Sequence, residues 1–223
     1  MASVSWAHPR RLHKPQKSRT PLIFKGFPGL FCIKVERVLE PSCGVGNFFG
    51  MLPESMSESK LYGVELDSIT GRIARQLYPN ARIEVNGFEK TQYPDGIFDL
   101  AIGNVPFGNY RVSDRPYDRH NLLIHDYFFA KTIDKVRAGG IIAFITSNGI
   151  SGGTMDKKDA HAREYMARRC DLLGAVRLPN TTRMKTAQCT PVSRLTLRRP
   201  AGSRLLYRRC GLHRMRPAIT LMD

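Results

Sequence analysis

The chain has 223 residues, 42% of them apolar, and a formal charge of +16. That length and apolar share suffice for one folded domain with a real core and exclude a chain disordered throughout. No run approaches the roughly 18 apolar residues of a membrane-spanning helix, and the basic start MASVSWAHPRRLHKPQKSRT lacks the apolar stretch of a secretion signal, so a soluble, cytoplasmic protein with no membrane partner is expected.

The excess charge is not spread evenly. Residues 1–37 carry eight Lys or Arg against one Glu, residues 183–223 ten against one Asp, and residues 38–182 balance at 17 basic and 17 acidic. A groove for DNA is normally written into the folded domain, so the basic flanks read either as electrostatic arms or as solvated tails. Five cysteines (Cys32, Cys43, Cys170, Cys189, Cys210) are odd in number and include no C-x-x-C pair, which indicates neither a disulfide framework nor a metal site.

In chain order, residues 1–37 read as a basic, irregular extension. From Arg37 to about residue 180, short apolar runs alternate with helix-like segments, the pattern of an α/β, doubly wound, mostly parallel sheet. The predicted strands are RVLEP (37–41), KLYGVEL (60–66), ARIEVN (81–86), IFDLAIGN (97–104), GIIAFITSN (140–148) and LLGAVRL (172–178). Helices are predicted near 47–58, 68–78, 120–137 and 156–170. The third is the clearest: Leu122, Leu123, Tyr127, Ala130, Ile133 and Val136 recur at helical spacing, and Gly139-Gly140 reads as its stop. Residues 38–182 are taken as the domain. Beyond them the chain is dense in Arg, Pro, Cys and Ser, and residues 183–223 are expected to be a disordered arginine-rich tail, dispensable for ligand binding, with the sheet incomplete at its C-terminal edge; if deleting the tail abolished binding, a strand such as SRLTLRR (193–199) would instead complete the sheet.

Three constellations carry chemistry. In VLEPSCGVGNFFG a strand runs into Gly44-Val45-Gly46, and a helix opening at Asn47 would turn backbone N–H groups toward a ligand above the strand ends. The third glycine of a dinucleotide fingerprint is misplaced, since Gly50 comes one position late, so NAD is disfavoured. A plain tight turn is the alternative. Glu65 closes the second strand 21 residues after Gly44, where a carboxylate can accept from ribose hydroxyls or simply be solvated; neighbouring Asp67 is a second candidate that could instead cap the next helix.

The third constellation is GNVPFG. The fourth strand ends at Asn104, which brings Asn104, Val105, Pro106 and Phe107 to the carboxyl edge of the sheet. Asn104 offers a side-chain carbonyl, Val105 a main-chain carbonyl followed by a residue without N–H, and Phe107 a flat ring. Two acceptors beside a stacking ring suit an amine attached to a planar system; a turn with a buried Phe is the bland alternative. The following NYRVSDRPYDRHN interleaves Tyr110, Arg111, Arg115, Tyr117 and Arg119 with Asp114 and Asp118, either a nucleic-acid contact or a solvated loop. His125 and His161 read most simply as packing or surface residues.

Over about residues 38–180 these motifs resemble the class I methyltransferases dependent on S-adenosyl-L-methionine, and within them the DNA adenine-N6 methyltransferases. The resemblance implies a Rossmann-like sheet. It assigns Glu40, Pro41, Gly44, Gly46, Asn47 and Phe48 to the methionine-binding loop, Glu65 to the ribose, and Phe88 and Glu89 to the flanks of the cofactor's adenine. GNVPFG looks like the family's catalytic Asn/Asp-Pro-Pro-aromatic loop, with Val105 where most members have proline. It implies that Asn104 and Val105 draw the amine of a flipped adenine toward a tetrahedral shape while Phe107 stacks on the base, and that Tyr110, Arg111 and Arg115 contact DNA, with no metal required. LIHDYFFAKTIDKVRAGGIIAFITSNGI is similar to the helix and fifth strand of type I and related enzymes. A weaker likeness links the chain to methylase regions of large mobile-element proteins with helicase segments, which would imply a helicase or DNA-specificity partner or a domain carried elsewhere. The same loop occurs in enzymes that methylate protein glutamine, so that activity is a rival, as is an inactive gene fragment.

Overall fold

The structure is a computed structural model that describes residues 34–147, 160–177 and 192–198. Among the described residues seven strands form one sheet: β1 (Arg37–Glu40), β2 (Lys60–Glu65), β3 (Arg82–Val85), β4 (Phe98–Asn104), β5 (Val136–Ser147), β6 (Asp171–Arg177) and β7 (Val192–Arg198). Their order is β3-β2-β1-β4-β5-β7-β6. The first five pair in parallel, and β7 runs antiparallel to both β5 and β6. Chain order reverses between β1 and β4, where Val38 faces Leu100 and Leu39 faces Ala101, so the crevice above these two strands is the switch point at which open α/β sheets bind ligands.

Helices α1 (Ser68–Leu77), α2 (Arg115–Asp118), α3 (Ile124–Lys135) and α4 (Ala160–Ala167) connect the strands. Alternation along each strand divides the core. Leu39, Ala101, Ile142 and Phe144 pack with Phe129, Ala130 and Ile133 of α3, while Val38, Leu100, Ile102 and Ala143 pack with Met56 on the opposite face. Asp67 caps α1 by accepting from the backbone N–H groups of Ile69 and Thr70 at 2.9 and 2.8 Å, which confirms the capping alternative for that residue. Helix α3 is buried on all sides from Ile124 to Ile133, including His125, Asp126 and Lys131, because the loop that precedes it and α4 cover the face turned away from the sheet.

Three expectations are corrected. The helix near 47–58 is replaced by two single 3-10 turns, Phe49–Met51 and Glu54–Met56; Leu52, held extended before Pro53 (φ −62°, ψ 141°), prevents an α-helix from propagating. Helix α3 stops at Lys135, and β5 begins at Val136 rather than at the glycines. Phe98 pairs with Val136 and Leu100 with Ile141, so residues 137–140 bulge opposite Asp99, and Gly140 is required there because a Cβ would lie 2.8 Å from the Asp99 carbonyl. Finally, β7 falls within the stretch expected to be disordered. It fills the position between β5 and β6, so the described sheet is not incomplete at that edge; the rest of the tail lies outside the described residues.

Asp99 ties the lower ends of three strands together. One carboxylate oxygen accepts from the backbone N–H groups of Glu36 and Arg37, both at 2.8 Å, and the other from the Arg137 guanidinium. Burial pushes its pKa up, but the Arg137 guanidinium and the two N–H donors outweigh burial and hold it below the ordinary 3.8. The sign follows: a depressed carboxyl stabilises the fold above its unfolded pKa, and this contribution is lost as pH falls through the lower folded value. Asp99→Ala is expected to cost roughly 2–3 kcal/mol in urea titrations at neutral pH, with a smaller difference from wild type under acid. Equal acid sensitivity of mutant and wild type would remove Asp99 as the cause.

Among the described residues no helix is long and apolar enough to cross a membrane.

Candidate active site

The loop leaving β1 is folded on itself. Gly46 N–H donates to the Cys43 carbonyl at 2.7 Å, Phe49 N–H to Gly46 at 3.1 Å, and Cys43 N–H to Val64 of β2 at 2.9 Å. Gly44 and Gly46 have φ of 55° and 83°, conformations that glycine adopts without strain. Their surroundings differ. A Cβ on Gly46 would strike the Tyr78 ring at 2.5 Å, whereas one on Gly44 would meet nothing within 4 Å. Gly46 is therefore needed for packing, and Gly44 borders open space.

Glu65 closes this loop from β2. Its Oε2 accepts from Gly44 N–H at 2.7 Å and its Oε1 from Asp67 N–H at 2.9 Å, which leaves further lone pairs on each oxygen for a ligand. Glu40, at the end of β1, is only 1% exposed, and its Oε2 has no hydrogen-bond partner. Burial, with a second contribution from the charge of Glu65, pushes its carboxyl up to about 9. The same burial and the two carboxylates push the Cys43 thiol up to about 12, so it is no nucleophile. Two carboxyl groups below an open glycine turn suit a ligand that brings positive charge and hydroxyl donors. Glu65→Ala is expected to weaken such a ligand by about 1–3 kcal/mol, because hydroxyls lose a charged acceptor. Calorimetric titration with S-adenosyl-L-methionine checks this, and unchanged affinity would remove Glu65 from the site.

The loop after β4 meets the first loop directly. The Ser42 hydroxyl donates to the Asn104 main-chain carbonyl at 2.8 Å. Asn104 Oδ1 is buried and has no hydrogen-bond partner. Val105 is fully buried, and its N–H donates to the Ile145 carbonyl of β5 at 3.1 Å, a bond that a proline at this position could not make. Phe107 is 44% exposed, which rejects the reading of a turn with a buried Phe.

The other expected residues differ in exposure. Asn47 is exposed, Pro41 is buried, and Phe48 packs against the Val38 and Leu100 cluster. Phe88 is buried, with its ring 5.1 Å from that of Phe128 and 6.3 Å from that of Tyr127, so it supports the site from within the core instead of presenting a face to a ligand. Glu89 lies in the single 3-10 turn Phe88–Lys90 after β3, its carboxylate folded over Gly87, where any Cβ would collide with it. Tyr110 is 52% exposed, and Arg111 and Arg115 are exposed. Several supports were not foreseen. Lys131 Nζ donates to the Glu89 carbonyl at 3.2 Å and to Asp114 at 2.9 Å, and the Tyr127 hydroxyl donates to the same Asp114 oxygen at 2.7 Å. This network joins the loop after β3 to the loop after β4. Burial lowers the Lys131 pKa, and Asp114 opposes that shift. A lysine two residues before Ile133 in an apolar helix was the available signal. Ser42, between two cradle residues, gave none. Among the described residues no group of His, Cys, Asp and Glu side chains is placed to hold a metal.

No family model matches the chain. It is 33% identical over 158 residues to the Defense against restriction protein B of Escherichia phage P1, covering 69% of this chain and 7% of that protein. It is 25% identical over 121 residues to Modification methylase CviBIII of Paramecium bursaria Chlorella virus NC1A, covering 52% of this chain and 32% of the methylase. The chain thus spans a small part of the relatives it matches. Among solved structures, one from Listeria monocytogenes assigned to the class I S-adenosylmethionine-dependent methyltransferases superposes with a TM-score of 0.62 at 16% identity, over 85% of this chain and 64% of that one. An rRNA methylase from Streptococcus thermophilus superposes with a TM-score of 0.52 at 16% identity, over 83% of this chain and 99% of that one.

Proposed function

We propose that this chain, with the fold of the class I methyltransferases, binds S-adenosyl-L-methionine and methylates the exocyclic amine of an adenine in DNA. The observation that carries the reading is the buried, unpartnered Asn104 Oδ1 beside the exposed Phe107 ring, at the crevice where β1 and β4 diverge. A relative named as a modification methylase supports methyl transfer, and the adjoining Tyr110, Arg111 and Arg115 support a nucleic-acid substrate.

The cofactor supplies a methyl group on a sulfonium. The residues present fit it: Glu40 and Glu65 offer carboxyl groups to its positive charge and ribose, and Gly44 leaves the space a side chain would fill. Catalysis by the protein then rests on orientation. The adenine amine is a poor nucleophile while its lone pair is delocalised into the ring. Asn104 Oδ1 accepts one amine hydrogen and Val105 O the other, which localises the pair, and Phe107 fixes the plane of the flipped base. The bond between Ser42 and the Asn104 carbonyl, with the Val105–Ile145 bond, holds this loop in register with the cradle.

The test is transfer of labelled methyl to duplex and single-stranded DNA, with the product identified as N6-methyladenine. Label that appears on a protein glutamine and never on adenine would replace this reading by protein amide methylation.

A further inference from the structure

The methyl transfer described above makes no use of Lys131, a cation on α3 that stands between the loop after β3 and the loop after β4. Its side chain is only 4% exposed. An ammonium so far from water must find acceptors in the protein, and it takes one from each loop: the Glu89 carbonyl at 3.2 Å and Asp114 Oδ2 at 2.9 Å. The Phe88 ring, its centre 5.1 Å from Nζ, covers a further side. Burial penalises the charged form, so neither acceptor is spare.

Asp114 organises the second loop. Its carbonyl accepts from the N–H groups of Tyr117 and Asp118 at 2.8 and 3.0 Å, its own N–H donates to Asp118 Oδ1 at 2.7 Å, and its Oδ2 accepts from the Tyr127 hydroxyl at 2.7 Å as well as from Lys131. Helix α2, which begins at Arg115, is thus set by the residue that Lys131 holds. Tyr110 and Tyr117 tie the same loop to α3 on either side: the Tyr110 carbonyl accepts from Ile124 N–H at 2.9 Å, and the Tyr117 hydroxyl donates to Asp134 at 2.9 Å. The side chains of Tyr110, Arg111 and Arg115 remain exposed on this anchored backbone.

If either loop lifts, the buried ammonium loses one of its two oxygens, and an uncompensated buried charge is strongly unfavourable. Seating one loop therefore favours seating the other. We propose that Lys131 is a positioning residue: a ligand that fixes the Phe88–Glu89 turn also fixes, through Lys131 and Asp114, the loop that carries Tyr110, Arg111 and Arg115. It rests on the proposed function, in which S-adenosyl-L-methionine reaches the loop after β3 and DNA the loop after β4. It adds that the two ligands bind cooperatively, each raising the affinity of the other by the same factor.

The test uses the full chain and the double variant Lys131→Met/Asp114→Asn, which keeps an acceptor for the Tyr127 hydroxyl and avoids the unpaired carboxylate that Lys131→Met alone would leave. Amide hydrogen exchange is followed at Tyr117, Asp118 and Ile124 with and without saturating S-adenosyl-L-methionine. In wild type the cofactor should slow these amides about fivefold or more, whereas the variant should bind it within about threefold of wild type and show no slowing. Where adenine is methylated, the variant's KM for a short duplex should rise about fivefold or more with kcat little changed. A fall in kcat at constant KM would mark the pair as a fold staple and overturn the proposal. Slowing that is equal in the variant, or absent from wild type with the cofactor bound, overturns it whether or not adenine is methylated. A wild-type chain that binds no S-adenosyl-L-methionine overturns it together with the cofactor reading. Slowing that depends on Lys131 and Asp114 in a chain that methylates only protein supports the coupling and removes the DNA reading alone.

Discussion

Replacing Asn104 by Ala is expected to lower methyl transfer to adenine by a factor of about 10²–10³ or more, the range for losing one preorganised polar group aimed at the reacting atom. Cofactor affinity should change little, because the Asn104 side chain has no part in the glycine turn. The substitution removes only Oδ1; the main-chain carbonyl that accepts from Ser42 remains, so the loop keeps its anchor. Asn104→Asp retains an acceptor and should retain part of the activity, which separates a chemical role from damage to the fold. Phe107→Ala should lower transfer less, by roughly the 1–3 kcal/mol of base stacking on an aromatic ring. Transfer that survives Asn104→Ala would remove the amine-polarising role.

The second large effect concerns Glu40. Its folded pKa stands at about 9 against an ordinary 4.5. Over that window the folded protein keeps a proton that the unfolded chain has released, so the stability this group contributes is fully present below about pH 4.5 and is lost as pH rises toward 9, at up to about 1.4 kcal/mol per pH unit. Glu40→Gln preserves the shape and removes the ionisation. Without ligand, the variant should be more stable than wild type at pH 8, with a flatter pH profile. Affinity for S-adenosyl-L-methionine should run the other way: a cationic ligand favours the carboxylate, so wild type should release a proton on binding and Gln should bind tenfold weaker or worse, about 1.4 kcal/mol. Calorimetry in two buffers of different ionisation enthalpy counts that proton. Equal affinities and no proton release would place Glu40 outside the ligand's reach.

The five parallel strands were legible because each is a short apolar run bounded by Gly, Pro or Asp, and the site was legible because its chemistry is concentrated at the carboxyl ends of two of them. What was missed depends on averaging or on distance. Arg194, Thr196 and Arg198 alternate with Leu195 and Leu197, a period-two signal, but the charge density of residues 183–223 favoured a disordered tail over it. SRLTLRR, the alternative strand of that region, coincides with β7 of the sheet. Residues 47–58 looked helical, and the constraint of Leu52 before Pro53 prevailed. Lys131 and Asp114 are 17 positions apart, and only the fold makes the loop's carboxylate the partner of the helix's lysine. Val105 stands where the resembled family mostly has proline; in the structure its N–H adds a rung between β4 and β5.

The placement of β7 bears on how the protein is made. During synthesis β5 and β6 leave the ribosome well before residues 192–198, yet the strand that must lie between them is the last of the seven. Until it arrives, β5 has an outer edge of unpaired backbone N–H and C=O groups from Ile141 to Ser147, the kind of edge that joins other chains. The nascent protein is thus at its most vulnerable late, after most of its core can already have formed. A chaperone that shields β5 in that interval would raise the yield of native protein without altering the native state.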